Sequence, residues 1–281
     1  MTEIKEHLIK VFSAFISFCE EHNLTYYAAD GTVLGAVRHH GFIPWDDDID
    51  VHMPRADYKR LWELRNQIPF PYKAADISEM GYTAPFMKFM DMNSSIWEFE
   101  KIPYMLGVYI DIFPLDEYCP EDIAHVKEIK KKVEESFFTY FRSIEEYSLR
   151  ELLSLLVHRN YWEFKSKVIR IANRKKNHKQ VLAFLNELSS MKNGSLYFNS
   201  TDVYLDSLFF EKSWFDSTID MPFETISIKI PSGYDSYLRL LYGDYMQLPP
   251  EEERNSHHSR YFISLERGYT IKEVRKLLEK K

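Results

Sequence analysis

At 281 residues, with 45% hydrophobic and 16% aromatic content, the chain carries enough apolar side chain for one large core or two modest ones, which excludes intrinsic disorder. A formal charge of −7 excludes a general nucleic-acid coat, so an anionic ligand needs local basic residues or metal ions. Cys19 and Cys119 lack metal-ligand spacing and read as reduced thiols.

Residues 3–22 place Ile4, Leu8, Val11, Phe12, Phe15 and Ile16 at helical spacing. This segment lacks the cationic start and unbroken apolar run of a signal peptide. No window reaches the ~18 apolar residues of a membrane span, so a cytoplasmic protein is expected. Leu24–Ala28 reads as a strand, Thr32–Arg38 as a short helix and His39–Trp45 as a loop. In "DIDVHM", residues 48–53, Asp48, Asp50 and His52 share one parity while Ile49, Val51 and Met53 share the other, the pattern of a strand with one apolar face. A helix opening around Pro54 follows.

Lys88 interrupts an apolar strand in "FMKFMD". In "GVYIDIFPLD", residues 107–116, Val108, Ile110 and Ile112 alternate with Tyr109, Asp111 and Phe113, and Pro114 is expected to end the strand. Residues 120–192 read as helical, with breaks near 147 and 177 and a capping box at Ser148 and Glu151. From 159 to 179 eight basic residues stand against one acid, Glu163. That run is a solvated helix face or a contact with a phosphate-bearing or membrane-linked acceptor. A strand at Thr225–Ile230, a helix at Tyr234–Tyr242, a Pro-Pro loop and a charged tail complete the chain, with no internal repeat.

Asp46, Asp47, Asp48 and Asp50 crowd five positions. On a strand, Asp48 and Asp50 stand about 7 Å apart at the backbone, and their side chains can converge on one hard cation that offsets the repulsion. Asp111, flanked by Ile110 and Ile112, is the candidate third carboxylate. An EF-hand reading fails because Val51 stands where the sharp turn needs Gly, and Pro54 interrupts the loop. A sugar-nucleotide glycosyltransferase using an Asp-x-Asp metal site expects nucleotide-binding βα units ahead of that motif; the residues before Asp48 hold a single strand. Asp46 and Asp47 suit solvated loop charges; Ile49 and Val51 draw Asp48 and Asp50 onto the core. A nucleotidyltransferase-type site fits Gly31 and Thr32 at the head of a short helix, whose amides would face phosphate, followed by the Asp-x-Asp strand.

"DGTVLGAVRHHGFIPWDDDIDVHMPRADY", "PFMKFMDMNS", "YIDIFPLD" and "YGDYMQLPPEEERNSHH" resemble successive motifs of the LicD family, relatives of the fukutin-type ribitol-phosphate transferases. The likeness covers roughly 24–118 and 205–258; the first motif is long and specific. It implies an α/β (α+β) nucleotidyltransferase-like mixed sheet flanked by helices. One catalytic domain is expected, with its core at about 1–119 and 201–260 and a helical insertion at about 120–200. It implies a phosphotransferase that moves phosphocholine, or a similar phosphoalcohol, from a CDP-linked donor to a hydroxyl of a cell-surface glycan or glycolipid precursor, releasing CMP. The partners are then a CDP-alcohol and a glycan, with no nucleic acid, at the cytoplasmic face of a membrane or in the cytoplasm.

The residues assigned to that chemistry are Asp48, Asp50 and Asp111 as ligands of Mg²⁺ or Mn²⁺, with Asp111 also able to take a proton. Gly31, Thr32, Arg38 and Lys88 are assigned to the donor, Thr32 as a helix cap and Arg38 as a phosphate fork or a partner of Asp46 or Asp47. His258, in the final motif, is the histidine carried to the site. Trp45, Tyr82, Trp97, Tyr104 and Tyr109 are candidate walls for a quaternary ammonium. A nucleotide- or glycan-binding module without catalysis is the reading from a different class.

Overall fold

The computed structural model describes residues 2–201, 208–254 and 260–279. Helix α1 (Glu3–Glu21) leads through β1 (Tyr27–Ala28) into α2 (Asp30–His39), then β2 (Asp50–Pro54) and α3 (Arg55–Leu64). β3 (Tyr72–Ala75), β4 (Met87–Trp97) and β5 (Leu106–Tyr118) build the middle of the sheet. Four helices follow: α4 (Ile123–Ser143), α5 (Leu149–Val157), α6 (Tyr161–Ala172) and α7 (Arg174–Leu188). β6 (Leu196–Asn199) and β7 (Phe209–Glu211) extend the sheet, and β8 (Thr218–Phe223) with β9 (Ile226–Pro231) forms a separate hairpin. α8 (Tyr234–Tyr242), β10 (Phe262–Ser264) and α9 (Ile271–Leu278) complete the described fold.

The sheet runs β1-β2-β5-β4-β10, with β3 also on β4, β6 on β5 and β7 on β6. β2 and β5 are parallel and the other described pairs antiparallel, so the α/β expectation of a mixed sheet holds. The core lies between this sheet and its helices. Phe15 of α1 packs on Phe89 of β4 at 5.6 Å between ring centroids. Because a strand's side chains alternate, Lys88 beside Phe89 is directed to the other face. That face carries the polar residues discussed below.

Pro114 does not end β5, which continues to Tyr118. Asp111 donates its N–H to Ile49, so odd residues of β5 direct their amides to β2 and even residues direct theirs away. On the far side the β4 pairing stops at Ile112 and the β6 pairing begins at Leu115. The missing N–H of Pro114 falls in that gap, where no strand asks for it.

Residues 48–53 also depart from expectation: the strand starts at Asp50, leaving Asp48 in the irregular segment before it. The break expected near 147 is present at 144–148, and a second one lies at 158–160; the break expected near 177 lies at 173, and α7 runs on through 177 with Asn177 and His178 buried and His178 Nε2 meeting the Ile77 carbonyl at 2.6 Å. The capping box on α5 forms in both directions, Ser148 Oγ accepting the Glu151 amide and Glu151 accepting the Ser148 amide. The apolar faces of α4 and α7 join the core through Val126, Ile129, Phe137, Val181 and Leu188. No side chain of α5 or α6 is buried. Both cysteines are free thiols.

Candidate active site

The register of three strands brings the site together. Asp50 of β2 stands opposite Asp111 of β5, and Asp111 stands opposite Lys88 of β4. Three residues remote in sequence thus form one row across the sheet. Lys88 is almost fully buried, and its Nζ donates to Asp111 Oδ1 at 2.7 Å. The same ammonium lies 3.5 Å from the centroid of the Tyr109 ring and 4.0 Å from Glu98. Tyr109 donates its hydroxyl to Glu98 at 2.5 Å. Lys88 therefore points inward, as its place in an apolar strand suggests, and is held by a carboxylate and an aromatic face.

Above this row opens a cleft of about 990 Å³. Asp30, Asp46, Asp48, Asp50, Asp111 and Lys88 line it, with Arg38 and Gly31 at the α2 side. Burial first, and then Asp48, Asp111, Asp30 and Asp46, push the Asp50 carboxyl well above the usual carboxylate range. The Tyr242 hydroxyl of α8, on a ring that remains partly exposed, is raised as well, by loss of water around it and then by Asp30, Asp50, Asp46 and Asp48. Both shifts share the same two causes in the same order: withdrawal from water, and then negative charges packed close together.

α2 supplies the second wall. Asp30 begins the helix at φ +45° and is fixed by Tyr237, which donates to Asp30 Oδ1 at 2.6 Å and accepts the Asp30 amide at 3.1 Å. A β-carbon on Gly31 would stand 2.7 Å from Asp46 Oδ2, so only glycine lets Asp46 lie against the helix. On Gly35 it would meet the Gly41 carbonyl at 2.4 Å, where the loop folds back on α2. Both glycines thus permit a close approach that a side chain would block.

Several assignments are corrected. Thr32 does not cap α2, whose N-cap is Ala29; Thr32 is buried and its Oγ1 accepts the Asp50 amide at 2.9 Å, tying helix to strand. The helix offers less to phosphate than expected, since the Asp30 amide goes to Tyr237 and the Thr32 amide to Ala29. Arg38 pairs with neither Asp46 nor Asp47. Its Nη1 donates to the carbonyls of Tyr245 at 2.7 Å and Gln247 at 3.2 Å, while Asp47 is taken by Arg260 at 2.7 Å. Asp46 is not a solvated loop charge but part of the cleft wall. His52 lies on the expected face yet sits in a ring cluster with Phe113, Phe210 and Tyr237. His258 and His257 lie outside the described residues.

Of the five aromatic walls expected, Trp45 and Tyr109 line the cleft. Tyr82 and Trp97 are core residues, and Tyr104 donates to Glu79. Phe86, Phe99, Phe113 and Tyr242 stand in their place. Asp30, Glu98 and Tyr242 were not legible as site residues. Asp30 alone left a signal, as an Asp directly before the Gly-Thr helix start.

Among the described residues, no three His, Cys, Asp or Glu side chains are already gathered as a metal cage. The donor chemistry nonetheless suits a hard divalent cation: the anionic groups that converge here are all carboxylates, and their crowding adds to burial in raising the Asp50 carboxyl. Lys88 at present neutralises part of that charge.

Residues 23–143 match the family model described as LicD/FKTN/FKRP, nucleotidyltransferase domain. The lipopolysaccharide cholinephosphotransferase LicD of Haemophilus influenzae is 26% identical over 260 residues, covering 89% of this chain and 92% of that protein. An uncharacterised protein of Rickettsia prowazekii is 35% identical over 66 residues, 24% of this chain and 21% of its own length. Another from Rickettsia typhi is 28% identical over 116 residues, 39% of this chain and 34% of its own.

Proposed function

The chain carries a LicD-family domain, and on that footing we propose that it is a phosphotransferase. It moves a phosphoalcohol, phosphocholine foremost, from a CDP-linked donor to a hydroxyl of a glycan or glycolipid precursor, and CMP leaves. The observation that carries this reading is the Asp50–Asp111–Lys88 row at the floor of a cleft with both acidic and aromatic walls. The acidic side suits the metal-bridged diphosphate of a nucleotide donor; the aromatic side suits a quaternary ammonium.

Asp48, Asp50 and Asp111 are the residues that would hold Mg²⁺ or Mn²⁺. When bound, the ion supplies charge neutralisation at the donor diphosphate. Lys88 exchanges its bond to Asp111 for a phosphate oxygen. Arg38, oriented at the cleft edge by two carbonyls, reaches a second oxygen. Asp111 either shares that ion or takes the proton of the attacking acceptor hydroxyl, which adds in line at the phosphorus bearing the alcohol. The P–O bond to CMP breaks as the new phosphodiester forms. The nucleotidyltransferase-like character of the domain and the standing of 120–200 as an insertion belong to this same reading.

The test is CMP release from CDP-choline with a glycan acceptor and divalent metal, with and without EDTA. Metal-dependent, acceptor-dependent CMP release supports the proposal. Silence across a panel of CDP-alcohols would sink it in favour of a binding module, and consumption of a UDP- or GDP-sugar would sink it in favour of a glycosyltransferase.

A further inference from the structure

The α5–α6 pair exposes an apolar surface that the fold leaves uncovered. Leu149, Leu153 and Val157 recur every fourth residue along α5 and form one stripe. Beyond the break at 158–160, Tyr161 and Trp162 open α6 with their rings exposed, Trp162 at 83%. Isolated exposed apolar residues are ordinary, but a stripe along one helix followed at once by two exposed aromatic rings marks a binding surface.

Charge identifies what binds. Residues 149–172, which span α5 and α6, hold five Lys and Arg against two acids, in a chain whose formal charge is −7. Both acids are already neutralised: Glu151 by Lys101 at 3.0 Å and Glu163 by Lys167 at 3.1 Å. Arg150, Arg159 and Lys165 are exposed beside the stripe. Apolar and aromatic residues flanked by surplus cations match the layered chemistry of an anionic bilayer, with acyl chains below and phosphate groups above.

We propose that α5 and α6 dock this protein on the surface of a membrane rich in anionic lipid. Among the described residues no helix is long and apolar enough to cross one, so the attachment is peripheral. The base of α5 is tied to the cleft: Lys101 bonds Glu151, and its carbonyl accepts the Glu146 amide at 2.7 Å, in the loop whose Glu98 and Phe99 line the site. Docking would hold the cleft beside lipid-borne acceptors; that consequence rests on the proposed activity, whereas the docking does not.

The full chain is sedimented with phosphatidylcholine vesicles containing phosphatidylglycerol, and with pure phosphatidylcholine vesicles. Binding to the first, weakened by salt and roughly tenfold lower for V157S/W162S, is expected. R150Q/R159Q/K165Q, which leaves the apolar stripe intact, lowers binding to anionic vesicles alone. No donor or turnover enters this readout, so it stands apart from the activity assay. A chain that stays in the supernatant at low salt overturns the proposal. So does a dimer in size-exclusion chromatography that V157S/W162S converts to monomer, because the stripe is then a contact between copies.

Discussion

Lys88 and Asp111 face one another across the β4–β5 ladder and join at 2.7 Å, with the lysine almost wholly withdrawn from water. Removing one partner of such a pair leaves the other charge uncompensated in a poorly solvated place. Lys88→Met is therefore expected to lower stability by about 3 kcal/mol in denaturant melts. The double variant Lys88→Met, Asp111→Asn should recover much of that loss. No recovery would mean that the pair is not what holds the lysine.

Asp48 lines the cleft beside Asp50, whose carboxyl is raised partly by it. Asp48→Asn removes a repulsive charge and, on the proposed mechanism, a metal ligand. Turnover should fall on the order of a hundredfold or more, while the melting temperature holds or rises slightly. A variant with near-wild-type rate would place the chemistry elsewhere.

The two α2 glycines should fail differently. Gly31→Ala drives a methyl to within 2.7 Å of a carboxylate tip that can swing away, whereas Gly35→Ala drives one to within 2.4 Å of the Gly41 backbone carbonyl. The first should cost activity more than stability. The second should cost roughly 1–3 kcal/mol in thermal melts, because a backbone must move.

Thr32→Val keeps the shape but removes the acceptor of the Asp50 amide. A loss of about 1–2 kcal/mol is expected, with an equal fall in kcat across substrates if this bond positions Asp50. An unchanged kcat would assign Thr32 to packing alone.

The Glu151 carboxyl is lowered from 4.5 to about 2, first by the Ser148 amide, then by Lys101 and the Ser148 hydroxyl. A depressed carboxyl stabilises the fold above its unfolded value, and that contribution is lost as pH falls through the folded value. The α5 capping box should thus loosen between about pH 4.5 and 2. Exposure keeps the effect below ~1 kcal/mol. Amide hydrogen exchange along α5 reads it, and Ser148→Ala should flatten the pH dependence.

Much of this was readable from local pattern. Alternation along residues 48–53 and 107–116 selects the face that carries Asp50 and Asp111, and helical spacing finds α1 and α8, the latter to the residue at both ends. The short strands β6, β7, β8 and β10 were missed, since three to six residues hold too little periodicity to be told from loop. Asp30 and Glu98 were missed for another reason: their roles come from Tyr237 and Tyr109, which no spacing connects to them.

Side-chain parity is a property of consecutive residues, so the chain by itself determined on which face of its own strand Asp50 and Asp111 each stand. Strand register is a property of the whole sheet, because it is chosen by the total fit of the buried faces. Only that fit set Asp50 against Asp111 and Asp111 against Lys88, and only the packing of α2 and α8 over them turned a row of charges into a cleft.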